Sequence, residues 1–294
     1  MPSLKKLRRR LRTVESTKTI TRAMRSVAAS KMRKTQDQRT KTKPYVDHLQ
    51  KLVANVLQNT SLEGQPLLEE REGKKKLFLV IASDRGLCGA FNATINDFAE
   101  EEYLQYKDQG AAVFTVGKRA HSHFTKLGAK VVGTENELRG NVVIPKIIDV
   151  NRQLQQLFLS GEFDRVELLY NHAITAMTYR PKHEILLPLQ PDELLKEVGE
   201  EEEKPLWEKE YIFEPEPKAL LGQLLPKFVE TKILFTIIDA LTAEHQARQM
   251  AMSTANENCM ELMDSLTLEL NKARQTMITK ELLEIVGGAE ALKG

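Results

Sequence analysis

Residues 83–89 (Ser-Asp-Arg-Gly-Leu-Cys-Gly) form the segment whose residue types could bind a phosphate group. They follow an apolar run at residues 77–82 that is typical of a β-strand, and they precede a predicted helix, which is where phosphate-binding loops lie. The segment matches neither Gly-x-Gly-x-x-Gly nor a loop ending in Gly-Lys-Ser/Thr. A tight turn, in which Gly86 and Gly89 allow unusual backbone angles, is therefore favoured over a nucleotide site.

The other nucleophilic and metal-binding residue types form no catalytic pattern. The two cysteines, Cys88 and Cys259, have no Cys-x-x-Cys spacing, which favours packing roles and a reducing compartment. The six histidines include no His-Glu-x-x-His motif, and no Ser/His/Asp set is supported by its local sequence. We therefore predict no catalytic residue, no cofactor and no metal site.

The charge of the chain is distributed unevenly. The net charge is +2, but residues 1–43 contain 15 basic and 2 acidic side chains, and residues 44–294 carry a net charge of −11. A basic arm of this kind binds either nucleic acid or an acidic protein surface. It contains no aromatic side chain for base stacking and has no helix-turn-helix or basic-zipper layout. Composition alone leaves both partners open.

Membrane and targeting signals are weak. No apolar run approaches the roughly 20 residues that a membrane-spanning helix needs, and the N-terminus lacks the apolar region of a secretory signal. Its Arg-rich start is similar in composition to a mitochondrial transit peptide.

Both ends of the chain are predicted to be long helices. Residues 227–286 contain neither Gly nor Pro, and apolar or small residues recur there at alternating four- and three-residue spacing, as in a coiled-coil seam. The seam positions are Leu234, Ile238, Leu241, His245, Arg248, Met252, Ala255, Cys259, Met263, Leu266, Leu270, Ala273 and Met277, with His245 and Arg248 as the polar exceptions. A weaker seam starts the N-terminal helix at Leu4, Leu7, Leu11 and Val14, and Pro44 could end or kink that helix.

The middle of the chain alternates between strand-like and helical segments. We expect strands at residues 77–82, 111–116, 130–132, 165–170 and 184–189, and helices at 91–106, 119–127 and 150–159. This alternation indicates a Rossmann-like α/β domain with a mostly parallel sheet, beside an antiparallel coiled coil of the long N- and C-terminal helices. The predicted parts are an N-terminal helix over 1–58, the α/β domain over 76–190, an acidic linker over 191–218 and a C-terminal helix over 219–294.

Several motifs, in the right order, resemble the gamma subunit of F-type ATP synthases. The C-terminal match covers residues 278–291 and includes Thr279, Glu281, Glu284, Gly288 and Ala289. Residues 271–275, 17–24 and 27–32 are also typical, residues 83–89 resemble the hallmark of the family's central domain, and residues 211–217 resemble the segment before its C-terminal helix. The resemblance therefore covers essentially the whole chain.

The resemblance implies a non-catalytic central shaft. In this family the paired terminal helices fill the bore of a hexamer of alternating alpha and beta subunits, and the remainder rests with the epsilon subunit on the membrane c-ring. Ion flow turns the ring, and the asymmetric shaft changes the nucleotide affinity of each beta subunit in turn. The implied partners are therefore alpha, beta, epsilon and the c-ring, around a single copy of this chain, with no nucleic acid and no direct membrane insertion.

The resemblance also implies a location. We expect the cytoplasmic side of a bacterial cell membrane, as a peripheral protein, with the matrix or stromal side of an organellar inner membrane as the alternative. The shaft helix of the family begins within a few residues of Met1, which argues against a cleavable transit peptide.

Individual contact residues follow from the same motifs. Met24, Arg274 and Gln275 match family positions that contact beta, and Tyr211 and Glu214 match positions that face the rotor ring and epsilon. Arg25 and Ser26 replace the usual acidic–hydrophobic pair and make this part of the helix more basic.

Overall fold

The computed structural model describes residues 4–60, 64–71, 73–175, 178–192, 194–195, 214 and 216–291. In chain order its main elements are α1 (Leu4–Gln58), β1 (Lys76–Ile81), α2 (Phe91–Tyr106), β2 (Ala112–Val116), α3 (Lys118–Lys126), β3 (Val131–Glu135), α4 (Ile144–Leu159), β4 (Arg165–Ala173), β5 (Tyr179–Leu187) and α5 (Pro217–Ala291). A short 3-10 turn, Lys107–Gln109, follows α2. None of the helices in the described ranges has both the length and the apolarity needed to cross a bilayer.

The sheet has the strand order β3-β2-β1-β4-β5. The pairs β1/β2, β1/β4 and β2/β3 are parallel, and the edge strand β5 is antiparallel to β4. Successive side chains of a strand point to opposite faces. Leu79 on β1 accordingly joins a core with α1, α4 and α5, whereas Phe78 joins a core with α2 and α3. The prediction of a mostly parallel α/β sheet is confirmed.

Several element boundaries differ from the predictions, and three of the larger differences have a clear physical reason. β3 continues to Glu135, and Gly133 within it pairs with Phe114 on β2, whose ring lies 2.3 Å from where a Cβ on Gly133 would be. β5 begins at Tyr179 despite Pro181, which an edge strand tolerates because one side of its backbone needs no partner. α4 begins at Ile144, with Pro145 in its first turn, where the missing N–H is harmless.

Neither of the prolines within the two long helices ends its helix. α1 continues through Pro44, and α5 contains Pro226. Around Pro226, Leu225 and Phe228 are buried, and Gln155 Nε2 on α4 donates to the Pro226 carbonyl oxygen at 3.2 Å. Tertiary burial thus compensates for the backbone hydrogen bond that a proline removes.

The chain forms two compact units, residues 1–28 with 248–294 and residues 29–247. In the first unit, Leu7 and Val14 of α1 pack against Cys259 and Leu266 of α5, with Leu11, Met263, Leu270 and Ala273 around them. These are the predicted seam positions. In the second unit, Arg39 contacts Asp239, and Val46 lines a cavity with Phe228, so α1 and α5 run in opposite directions there. The predicted antiparallel pairing is confirmed.

Candidate functional site

The predicted contact residues lie at separate places on the two long helices. Arg274 and Gln275 are exposed on α5, directly after the seam residue Ala273. Met24 is half-buried on α1, 17 residues beyond Leu7, which is roughly 25 Å along the helix axis. The structure therefore does not bring Met24 together with Arg274 and Gln275. Glu214 is exposed, and Tyr211 lies outside the described residues.

The N-terminal part of α1 presents an open basic surface. Arg8, Arg9, Arg10 and Arg12 are exposed, and within the part of the chain that the structure describes none of these four forms an ion pair. Several of them line a groove whose wall on α5 is Met277. Because these four cations form no ion pair with any residue that the structure describes, we expect their charge to be available to an acidic surface from outside.

The C-terminal part of α5 presents an apolar surface. Met277, the last predicted seam position, is exposed, so the packed seam ends at Ala273 rather than at Met277. The apolar side chains that follow are between 43% and 68% exposed: Ile278, Leu282, Leu283, Ile285 and Val286. An apolar patch of this kind on a helix marks an interaction site.

Asp84 closes the turn that resembled a phosphate loop. Its carboxylate accepts hydrogen bonds from the backbone N–H groups of Lys118, Glu137 and Arg139, at 3.2, 3.0 and 2.7 Å. Lys118 is the first residue of α3, so the carboxylate occupies the place where a helix N-terminus would bind an anionic ligand. The positive φ angles of the turn fall at Leu87 and Gly89.

The prediction that Gly86 adopts an unusual backbone angle is wrong. Its φ is not in the left-handed region, and its role is close approach instead, because a Cβ there would lie 3.0 Å from Arg119 Nη2. The backbone angle predicted for Gly86 is adopted by Leu87, a residue type that rarely adopts it.

α5 fills the crevice in which Rossmann-like sheets bind ligands. That crevice lies at the carboxyl ends of the strands where the strand order reverses, here between β1 and β4. Ala243 and Ala247 of α5 are buried in it against Cys88, Phe91 and Ala173. Their small side chains allow the helix to approach the sheet closely. The space that a nucleotide would need is thus taken by the chain's own helix.

The environment of Cys88 agrees with a packing role. Asn92 Nδ2 donates to its Sγ at 3.1 Å, and both cysteines are buried. Within the described ranges, no three His, Cys, Asp or Glu side chains are grouped in a way that could hold a metal ion.

A buried polar contact joins both long helices to the sheet. Asp239 on α5 is 1% exposed, its Oδ1 lies 3.0 Å from Arg39 Nε on α1, and its Oδ2 accepts a hydrogen bond from His172 Nδ1 on β4. Oδ1 accepts no aligned hydrogen bond, so its contact with Arg39 is ionic. Burial raises the pKa of Asp239, against the opposing effects of the His172 hydrogen bond and the Arg39 charge.

The turn at residues 137–140 provides a second contact to both helices. Glu137, Arg139 and Gly140 have positive φ angles. Lys31 Nζ on α1 donates to the Arg139 carbonyl oxygen at 3.1 Å, and His245 Nε2 on α5 donates to the Gly140 carbonyl oxygen at 2.8 Å. His245, a polar exception in the predicted seam, is therefore a buried hydrogen-bond donor. The heptad pattern showed that it departs from the seam but not what it contacts.

A second charged group is buried inside the sheet. Glu167 on β4 is 1% exposed and contacts Lys76 Nζ on β1 at 3.0 Å and His183 Nε2 on β5 at 2.8 Å. Burial alone would raise the pKa of Glu167, but hydrogen bonds from His183 and Lys76 outweigh it, and the pKa is lowered. The hydrogen bond to Glu167 in turn raises the pKa of His183. This network ties together three neighbouring strands.

Comparison of sequences identifies full-length relatives. A family model described as ATP synthase matches residues 3–292. The chain is 37% identical over 293 residues to an ATP synthase gamma chain of Moorella thermoacetica, and 39% identical over 299 residues to one of Flavobacterium johnsoniae. Each alignment covers 100% of both chains.

Comparison of structures finds the same fold. A chain of the Euglena gracilis mitochondrial ATP synthase, from a structure of OSCP, F1 and the c-ring, matches with a TM-score of 0.68 at 18% identity, covering 98% of this chain and 94% of that one. A chain from the central stalk and c-ring of the Tetrahymena thermophila mitochondrial ATP synthase gives a TM-score of 0.60 at 23% identity, covering 80% of this chain and 99% of that one.

Proposed function

The chain belongs to the ATP synthase gamma chain family, and we propose that it couples ion-driven rotation of a membrane ring to ATP synthesis and hydrolysis in an alpha–beta hexamer. It is a central-stalk subunit of that family. The observation that best supports the coupling role is the packed helix pair of the first unit, with its seam of Leu7, Val14, Cys259 and Leu266. Beside this seam, the basic surface of α1 and the apolar surface of α5 are exposed.

These open surfaces suit a part that turns inside its partners. A rotor must avoid one deep binding pose, because such a pose would stop it. Exposed cations such as Arg8 and Arg12 give attraction that salt screens and that is individually weak. The apolar end of α5 gives contact without directional bonds. Acidic loops on successive beta subunits would meet such a surface with similar energies.

The chain itself is proposed to make and break no bond. Asp84 occupies the anion position at the start of α3, and Ala243 and Ala247 occupy the crevice of the sheet. The nucleotide chemistry of the complex therefore belongs to other subunits, and a nucleotide-dependent enzyme that used residues 83–89 would have no room for its substrate.

The partners follow from the same proposal. Alpha and beta surround the first unit, with Met24, Arg274 and Gln275 as contacts to beta. The epsilon subunit and the c-ring contact other parts of the chain, with Tyr211 and Glu214 among the contacts. The complex holds one copy of this chain, peripheral to the membrane on its cytoplasmic side, with an organellar inner membrane as the alternative.

Co-purification tests the proposal directly. A tagged form of the full chain is expressed in its native host and purified at moderate salt. We expect alpha, beta and epsilon subunits in fixed stoichiometry with it, and no ATP turnover by the chain alone. Recovery of nucleic acid instead, with an affinity that falls steeply with salt, would support the alternative for the basic arm.

A further inference from the structure

The helix α5 is enclosed on all sides over one stretch of the second unit. Every residue from 236 to 247 is buried, although a helix at a surface would bury only one stripe. Half of these twelve side chains are apolar, and apolar packing has no preferred direction. Packing alone would hold the helix in place but would resist its turning only weakly, and a directional contact is needed to fix its angle.

Asp239 and His245 make directional contacts from this stretch to other elements. Asp239 binds Arg39 and His172, and six residues later His245 binds the Gly140 carbonyl oxygen. Six residues correspond to roughly 9 Å along the axis and about 120° around it. The two contacts therefore hold α5 from different sides and at different heights.

α1 is attached at the same two contacts. Arg39 reaches Asp239, and Lys31 reaches the carbonyl oxygen of Arg139, next to Gly140. Eight residues separate Lys31 and Arg39, which is roughly 12 Å along α1. Both helices are thus attached to the sheet at β4 and at the 137–140 turn. We call these two attachments together the joint.

We propose that Asp239 is a positioning residue that fixes the angle of the α1–α5 pair relative to the sheet, so that torque passes through the joint rather than being lost as slip. This inference rests on the proposed rotor function. A buried ion pair is a poor source of net stability, but it is directional, and a satisfied buried network makes a structure rigid. The expected consequence of removing it is therefore a loss of stiffness greater than the loss of stability.

The test uses the assembled complex with the full chain. The hexamer is fixed to a surface, and a bead is attached through Gln153→Cys, an exposed position on α4, while Cys88 and Cys259 stay buried. Torsional stiffness is measured from the angular fluctuation of the bead during a pause in ATP-driven rotation. The variants are Asp239→Asn and the double variant Arg39→Met with Asp239→Asn, which leaves no uncompensated buried charge.

Two further variants serve as controls. Thr242→Val removes a buried hydrogen bond that stays within α5, from Thr242 Oγ1 to the Ile238 carbonyl oxygen at 2.8 Å. Arg39→Lys keeps the cation opposite Asp239 and is the conservative rescue. Both controls should keep the stiffness of the unmodified chain.

The stiffness in both Asp239 variants should fall about twofold, because one of the two attachments that form the joint is lost. The proposal that Asp239 fixes the angle of the helices is wrong if the stiffness is unchanged in the Asp239 variants. It is also wrong if the stiffness falls equally in Thr242→Val. If the bead on the unmodified chain does not rotate at all while the hexamer hydrolyses ATP, the proposed rotor function itself is wrong.

Discussion

His245 Nε2 and the carbonyl oxygen of Gly140 are 2.8 Å apart in space and 105 residues apart in sequence. The contact ties the longest helix to a turn at the carboxyl edge of the sheet. The carbonyl oxygen can only accept, so Nε2 carries the proton. Two features require glycine at position 140. Its φ is +70°, and a Cβ there would lie 2.6 Å from His245 Cε1.

Replacement of Gly140 by alanine is the first prediction. Gly140→Ala combines backbone strain with a clash against a buried ring, so we expect a loss of about 2–4 kcal/mol in the free energy of unfolding. Urea unfolding of the full chain measures it. The matched control is Gly161→Ala, where φ is +77° but nothing lies within 4 Å of the added methyl group. The control should lose only about 1 kcal/mol, and equal losses at both positions would contradict the close packing of His245.

Enlargement of Ala243 tests the filled crevice. Ala243→Leu inserts three carbon atoms between α5 and the carboxyl ends of β1 and β4, where Phe91 and Ala173 already pack. We expect the unfolding free energy to fall by about 1–3 kcal/mol, the usual effect of overpacking. The same change at the exposed Ala93 on α2 should stay within about 0.5 kcal/mol. An unaffected Ala243→Leu variant would show that the crevice is open.

The Glu167–His183 pair predicts a pH dependence of stability. The pKa of His183 is raised above 6.5, so its contribution is complete below pH 6.5 and is lost as the pH rises through the raised pKa. The pKa of Glu167 is lowered below 4.5, so its contribution is complete above pH 4.5 and is lost as the pH falls through the lowered pKa. The pair therefore stabilises the fold most between pH 4.5 and 6.5.

Unfolding free energies across pH 5 to 9 check this dependence. His183→Gln should flatten the alkaline decrease, and His48→Gln, at an exposed position of α1, should leave it unchanged. If the decrease persists in His183→Gln, another group is responsible for it.

Arg274 and Gln275 give a prediction on activity. Both side chains are exposed, so Ala substitutions should change the unfolding free energy by less than about 0.5 kcal/mol. ATP turnover of the reconstituted complex should fall roughly 3- to 10-fold, as expected from the loss of one or two contacts of about 1 kcal/mol. The neighbouring exposed pair, Asn271 and Lys272, is the control. Turnover that stays at the level of the unmodified chain would remove Arg274 and Gln275 from the interface.

The sequence predicts those parts of the fold that depend on local pattern. The spacing of Leu7 and Val14 on α1 and of Cys259 and Leu266 on α5 predicts their seam, and the structure packs these four together. The apolar runs predict the strands because each buried strand is nearly uniform in hydrophobicity. Pattern also favours a tight turn over a phosphate loop at residues 83–89, and in the structure Asp84 closes that turn.

The parts that the sequence leaves open depend on contacts between distant residues. Asp84 gives no local signal that it will bind the N–H groups of Glu137 and Arg139, and Asp239 gives none that it will meet Arg39. In the sequence Gly133 indicates the end of a strand, whereas in the structure it lies within β3 beside the ring of Phe114. For His245, a polar residue in an apolar seam was a usable signal, since it marks a position that needs a hydrogen-bond partner.

The central claim is that this chain rotates within a complex that makes and uses ATP. The most direct measurement follows a bead on Gln153→Cys, with the hexamer fixed and ATP supplied. We expect continuous rotation in one direction, with pauses at three angles that correspond to the three beta subunits. ATP hydrolysis by the assembled complex without any rotation of the bead would contradict it.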